Sequence, residues 1–281
     1  MGLVLSKLSG AKGYLNYGRG LDSDAFTFLT TAGITNIVQQ KAINELVIDL
    51  KGYGIWTKQK ALYPFVGGTA VAHKFNLKNP ADTNGAYRLT FSAGWTHSST
   101  GALPNGSAYA ETYLVPSTTL TNYNTHLSYY SRTNLLETTN FEIGSYNGSG
   151  GNLFCLVLPR NTGNATSIQY DQFTATNYAL ATGQTSTTGF WMSNRTSNVG
   201  STHKLWRNGV SIAAASTTGG SFLANTLWIS AINNSLGGSP PAYYSRKECA
   251  FASIGDGLTD AEAANFYTAV QKFQTTLGRQ V

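Results

Sequence analysis

Along most of this chain the hydrophobic pattern repeats every two residues, and no repeat lasts long. After Trp56 come about a dozen short segments, among them KALYPFV, AHKFNLK, AYRLTFS, YAETYLV, HLSYYSR, FEIGSY, FCLVLP, SIQYDQF, GFWMSN, LWISAIN and ECAFASI, each rich in aromatic and β-branched residues. In AYRLTF the alternation places Tyr87, Leu89 and Phe91 on an inner face and Arg88 and Thr90 toward water. Turn residues separate the segments at intervals of roughly 8 to 20 residues, which predicts an all-β fold of two antiparallel sheets packed as a sandwich. The sharpest local signal is HKLWR-Asn208-Gly209-VSIAA, because a two-residue type I′ turn needs positive φ at both central positions and Asn and Gly tolerate it.

Two stretches break the period of two. Ile43, Leu46, Val47 and Leu50 recur at the spacing of one helical face, with Asn36 and Gln39 placed for a capping box and Gly52 for a left-handed stop. Near the other end, Thr259 to Glu262 has the form of a capping box, and Ala263, Phe266, Tyr267, Val270 and Phe273 then share a face until Gly278. A helix of that kind cannot lie inside a sandwich. It is expected to cover an open end or to join the termini of the two sheets.

A chain of 281 residues buries roughly three quarters of the surface its unfolded form exposes, so stability needs no disulfide or metal. Charged residues make up only 11%, less than half the usual share, and the surface must therefore be covered by neutral polar groups. The formal charge is +6, but basic residues are dispersed, nine of the nineteen lying before residue 80, and no nucleic-acid motif accompanies them. Cys155 and Cys249 sit in apolar runs and are read as buried free thiols, although a fold that brought them together would let them pair. MGLVLSKLSG lacks the continuous apolar core of a signal peptide, and no run reaches membrane-spanning length. Residues 1 to 20, Gly-rich and basic, read as an arm that orders against a partner.

Residues 251 to 273, FASIGDGLTDAEAANFYTAVQKF, resemble the last strand and following helix of the concanavalin A-like lectin/glucanase superfamily, in particular its laminin-G-like and pentraxin-like branches. The hairpin Leu205-Trp206-Arg207-Asn208-Gly209-Val210 and the segment LWISAINNSLGGSPPAYYS are similar to elements of the same branches, so the likeness covers roughly residues 190 to 277. It implies a jelly-roll sandwich. GIWTKQKALYPFVGGTAVAHKFNLKNP (54 to 80), with the helix before it, resembles a segment of virion proteins of tailed bacteriophages. That likeness implies an arm and helix over 1–57 for virion attachment and a concanavalin A-like jelly-roll domain over 58–281.

The glucanase branch cuts glycans with carboxylates spaced so that one strand face carries both. Here the one close strand pair, Glu137 and Glu142, has odd spacing, which would put the two on opposite faces. The four histidines are isolated, so no metal site and no cofactor is expected; Asp82 and Asn84 in NPADTNG read as an Asx-stabilised turn. Sugar binding asks only for an aromatic face beside amide or hydroxyl groups, and Trp95 with His97, and Trp191 with Asn194 and Arg195, offer such mixtures, although core packing explains each tryptophan more simply. The sequence thus leads to a non-enzymatic virion structural protein, made in the host cytoplasm and exposed on the extracellular particle. Its partners are other virion proteins, reached through the arm and in multiple copies. The alternatives are a host-surface glycan-binding module and, further off, a depolymerase.

Overall fold

β6 (Thr125–Ser131), β11 (Gly189–Arg195) and β16 (Cys249–Gly255) are buried at every position, although polar and apolar residues mix along them. That pattern fits only a sheet covered on both faces. The computed structural model, which describes residues 20–146, 153–171, 178–216, 222, 224–235 and 243–281, shows what does the covering.

Two eight-stranded, largely antiparallel sheets face one another. The first also contains β1 (Gln59–Tyr63), β3 (Trp95–Ser98), β4 (Gly101–Pro104), β12 (His203–Arg207) and β13 (Val210–Ala215). Its order is β13-β12-β11-β6-β16-β4-β3, with β1 pairing β16 as well. The second has β2 (Thr90–Phe91), β5 (Ala110–Glu111), β7 (Ile143–Tyr146), β8 (Leu153–Val157), β9 (Ala165–Asp171), β10 (Ala179–Ala181), β14 (Trp228–Ile229) and β15 (Ile232–Asn233). There the order is β10-β9-β8-β7-β14-β5-β2, and β15 runs parallel to β7.

Alternation sorts the side chains of the first sheet between two cores. Leu127 and Tyr129 of β6, Trp191 of β11 and Ala252 and Ile254 of β16 point between the sheets, where they meet Ile143, Phe154, Leu156 and Ile229 of the second. Tyr130, Phe190, Met192 and Phe251 point the other way, into a core completed by helices. Those helices are α1 (Ser23–Thr31), α2 (Ile37–Gly52) and α5 (Asp260–Thr276); between them in the chain come two single turns, α3 (Ala70–His73) and α4 (Pro116–Thr119). Phe266 of α5 packs edge-on against Phe190 and Phe251, with centroids 5.4 and 6.0 Å apart, and Phe273 packs against Phe251 at 6.3 Å. The closing helix therefore lies flat on a sheet face and does not plug an open end. The sequence-drawn boundary at 57/58 falls within that shared core, which runs from Ala25 through Trp56 to Phe273.

Caps set the helix ends. Thr259 and Glu262 form the reciprocal capping box. Asn36 accepts from the amides of Val38 and Gln39, but Gln39 turns away to accept from Gly67, so that start is only half a box. Gly52 remains helical, and the left-handed residue is Gly54, at φ 72°. α1 was not expected from its Thr-rich sequence; Asp22 caps it, donates its amide to Asn44 Oδ1 and accepts from Lys51 Nζ. After α5 the chain dives inward. Arg279, 1% exposed, donates to the carbonyls of Pro64, Phe65 and Ala250, while its Nε bonds Gln274.

Several expected strands are shorter or absent. AHKFNLK begins as α3 (Ala70–His73), capped by the Thr69 hydroxyl. In AYRLTF only Thr90 and Phe91 pair; Tyr87 sits at φ 58°, closing a 3-10 turn, so the alternation begins late. LWISAIN is split by Ser230 at φ 65° into β14 and β15. The Asn208-Gly209 turn has both φ values positive and joins Arg207 to Val210 in register. Both cysteines are buried and free. The arm over residues 1 to 19 lies outside the described residues.

Three histidines are folded into these cores. Burial depresses His73 and His203 to about 3 and His126 to about 4, with His97 and Arg279 adding repulsion at His73. Folded values below the unfolded value of about 6.5 mean that the unfolded chain binds more protons between the two. Stability is then full above about pH 6.5 and falls by about 1.4 kcal/mol per pH unit per histidine toward pH 4. Urea midpoints measured at pH 7.5, 6 and 5 should drop steadily, and equal midpoints would contradict the burial of these rings.

Candidate functional site: an aromatic groove beside a buried ionic cluster

β8 is apolar on both faces. Phe154 and Leu156 belong to the inter-sheet core, while Leu153, Cys155 and Val157 join Phe141 and Ile232 in a small cluster on the outer face of the second sheet. Over this cluster lies a groove of about 470 Å³ with Tyr146, Tyr178 and Tyr243 as aromatic walls, and with Arg160, Asn164 and Thr139 among its polar lining. The Arg160 guanidinium sits 5.2 Å above the Phe141 ring and donates through Nη2 to the carbonyl of Asn140 at 3.0 Å. Its Nε is buried and has no hydrogen-bond partner among the described residues. Tyr243 is half exposed, and its φ of 57° turns the ring to within 5.5 Å of Phe141.

The turn that carries Arg160 is fixed from beneath. Arg160 N donates to Asn164 O at 3.1 Å and Asn161 N to Glu137 O at 2.9 Å. Glu137 in turn belongs to a buried ionic cluster. Lys247, with no exposed surface, places Nζ 2.6 Å from Glu137 Oε2 and 3.1 Å from Glu142 Oε1. Glu142 also accepts from Asn140 Nδ2 at 2.5 Å and from the amide of Leu158 at 2.6 Å, and Arg246 Nε reaches Glu137 at 3.2 Å. Lys247 leads into β16 and Glu142 into β7, so the cluster joins one sheet to the other.

Glu137 and Glu142 thus converge, contrary to the expectation that odd spacing would separate them. Strand alternation does not apply, because residues 132 to 142 are outside any strand and β7 begins only at Ile143. Convergence does not make them a hydrolytic pair. Every near oxygen is taken up by lysine, arginine, serine or amide donors, and Glu142 has no exposed surface. Glu137 does touch a second, polar cleft of about 450 Å³, lined also by Asn105, Gly106, Tyr244 and Arg246; it shares Thr139 and Tyr243 with the groove.

The residues that sequence alone offered for sugar binding lie elsewhere. Trp191 is fully buried between the sheets, its Nε1 donating to Thr187 O at 3.1 Å. Asn194 is spent on both the amide and the carbonyl of Leu258, each at 2.8 Å, which anchors the loop before α5. Arg195 is buried over the Tyr123 ring at 4.8 Å and donates to Ser197 O. These three present no face to a ligand. Trp95 and His97 are partly exposed on edge strand β3 of the first sheet, away from the groove, and stack at 6.2 Å. Gly68 N donates to His73 Nε2, so the His73 proton is on Nδ1 and is given to His97 Nδ1 at 2.9 Å. Asp82 is held by Lys74 and Arg88, while Asn84 accepts from Arg88.

No family model and no curated protein matches the chain. Among solved structures it is similar to a native heptameric SAP-like pentraxin from Limulus polyphemus, at 10% identity over 50% of this chain and 68% of that one, with a TM-score of 0.36. It is also similar to Trypanosoma rangeli sialidase in complex with a difluoro-KDN, at 15% identity over 81% of this chain, with a TM-score of 0.46. The chain spans 39% of that sialidase's length. The same sialidase in complex with sialic acid matches at 11% identity over 74% of this chain and 32% of that one, again at 0.46.

Replacing Lys247 by Met would leave two buried carboxylates without their common cation. We expect a loss of about 3–5 kcal/mol in urea unfolding, with part regained on adding Glu142→Gln. An unchanged midpoint would show that the cluster does not join the sheets.

Proposed function

We propose that this protein is a non-enzymatic carbohydrate-binding module with a lectin-like, concanavalin A-type jelly-roll sandwich, displayed on the surface of a tailed-phage particle. The observation that carries the binding reading is the groove on the outer face of the second sheet. A sugar ring offers one apolar C–H face and a rim of hydroxyls, and it is held by aromatic rings beside fixed polar groups. The groove supplies both, with tyrosine walls above an apolar floor and with Arg160, Asn164 and Thr139 among its lining. Its floor is held in place, since Leu153, Val157 and Ile232 are pinned in paired strands. Little ordering is then required when a ligand enters.

Binding without bond cleavage is the reading favoured by the same region, where Glu137 and Glu142 have their acceptor sites filled by Lys247 and neighbouring donors. The particle setting is supported by the sequence likeness of residues 54 to 80. In this reading the leader over residues 1 to 20 docks on other virion proteins.

Glycan-array binding by the purified protein should fall about tenfold in Tyr178→Ala and in Tyr243→Ala with unchanged melting temperature, the loss of one stacked ring being on the order of 1–1.5 kcal/mol. Binding that ignores both variants, or release of reducing sugar from a bound polysaccharide, would sink the reading. Deleting residues 1 to 19 should leave the melting temperature unchanged, since the cap on α1 is Asp22. Incorporation into particles should be lost, and normal incorporation would refute the docking role.

A further inference from the structure

The groove and the neighbouring polar cleft are two cavities of similar size, about 470 and 450 Å³, with Thr139 and the ring of Tyr243 in the lining of both. An arginine serves each. Arg160 lines the groove, and Arg246 lines the cleft. Among the described residues no aspartate or glutamate lines the groove, and the one acid of the cleft, Glu137, is paired at 2.6 Å with Lys247, a cation it shares with Glu142.

Arg246 is oriented before any ligand arrives. Its Nε is fixed on Glu137 Oε1 at 3.2 Å and its backbone amide on Glu137 Oε2 at 3.3 Å. Its aliphatic stem lies on Gly106, where an added Cβ would come within 2.9 Å of Arg246 Cγ. The side chain is nonetheless 59% exposed, and its two terminal nitrogens make no hydrogen bond among the described residues. A guanidinium held by Nε offers its Nη1 and Nη2 edge, the geometry that takes a carboxylate by two parallel bonds. At Arg160, Nη2 is committed to Asn140 O while the buried Nε has no partner among the described residues.

From these juxtapositions we infer that the site binds an acidic oligosaccharide of at least two sugar units laid across Tyr243, one ring in the aromatic groove and a carboxylate on Arg246 in the cleft. Neutral glycans use the groove alone. The inference rests on the carbohydrate-binding function proposed above and adds the charge and length of the ligand.

The test uses a panel of neutral and uronate-bearing oligosaccharides of bacterial capsules and cell walls, the acidic set also as methyl esters, titrated into the full chain by calorimetry. Acidic members of two or more units should bind about tenfold more tightly than their esters, and the difference should shrink as salt is raised. Arg246→Gln should lower the affinity for the acids to that for the esters and so remove the difference. Esters that bind as well as acids, or an Arg246→Gln variant that still discriminates, would overturn the acidic specificity and leave carbohydrate binding standing. Failure of every member of the panel to bind would overturn both.

Discussion

The two-sided burial of β6, β11 and β16 governs the architecture. A sheet whose two faces are both apolar needs a layer on each side, and one partner sheet can supply only one. The second layer is helical, and it is assembled from segments that are far apart in sequence. Phe28, Leu46 and Leu50 come from the N-terminal side, while Phe266, Val270 and Phe273 come from the C-terminal side. Lys272 links the two groups by bonding Asp49 at 2.9 Å, and Arg279 fastens the tail to carbonyls of residues 64, 65 and 250. A buried guanidinium with only neutral acceptors is costly, which is why burial lowers it to about 9. Four of its five donors are nonetheless placed on oxygens.

The second sheet has a different balance. Its inner face is the sandwich core, but its outer face carries no helix among the described residues, only the small cluster of Phe141, Leu153, Cys155, Val157 and Ile232. The outward apolar side chains, each 9% exposed or less, floor the groove, and its polar lining comes from Thr139 before β7 and from the turn after β8, with Tyr243 from the segment before β16. The ionic cluster at Lys247 ties the segments before β7 and β16 together, and Glu137 O accepts from Asn161 N of the turn. Fold and site are therefore joined at one point, through Glu137.

Period-two segments, the Asn208-Gly209 turn and the two capping signals were enough to read a sandwich with helices near both ends. What escaped has physical causes. Strand ends were misjudged where Tyr87, Tyr113 and Ser230 adopt left-handed backbone, because nothing in an aromatic or serine residue announces positive φ. α1 was missed because threonines mask its face, and only Asp22 marks its start. At the site, tryptophans drew attention and proved buried or remote, whereas the groove is walled by tyrosines in Ser/Thr-rich loops that carry no periodic signal. One clue was present. FCLVLP is apolar without alternation, as ECAFASI nearly is, and such runs mark strands buried on two faces; in the first sheet the second face meets helix, and in the second it forms the groove floor.

Pairing of β1 with β16 joins Leu62 to Ser253, and α2 rests against α5. On a translating ribosome, β1 and the helices near it have no partners until some two hundred further residues have been made, so this core closes late in synthesis, or after it, and not as the chain emerges. Until then the faces of α1 and α2 that meet α5 and the sheet lack their cover, which makes the nascent chain a natural client of chaperones.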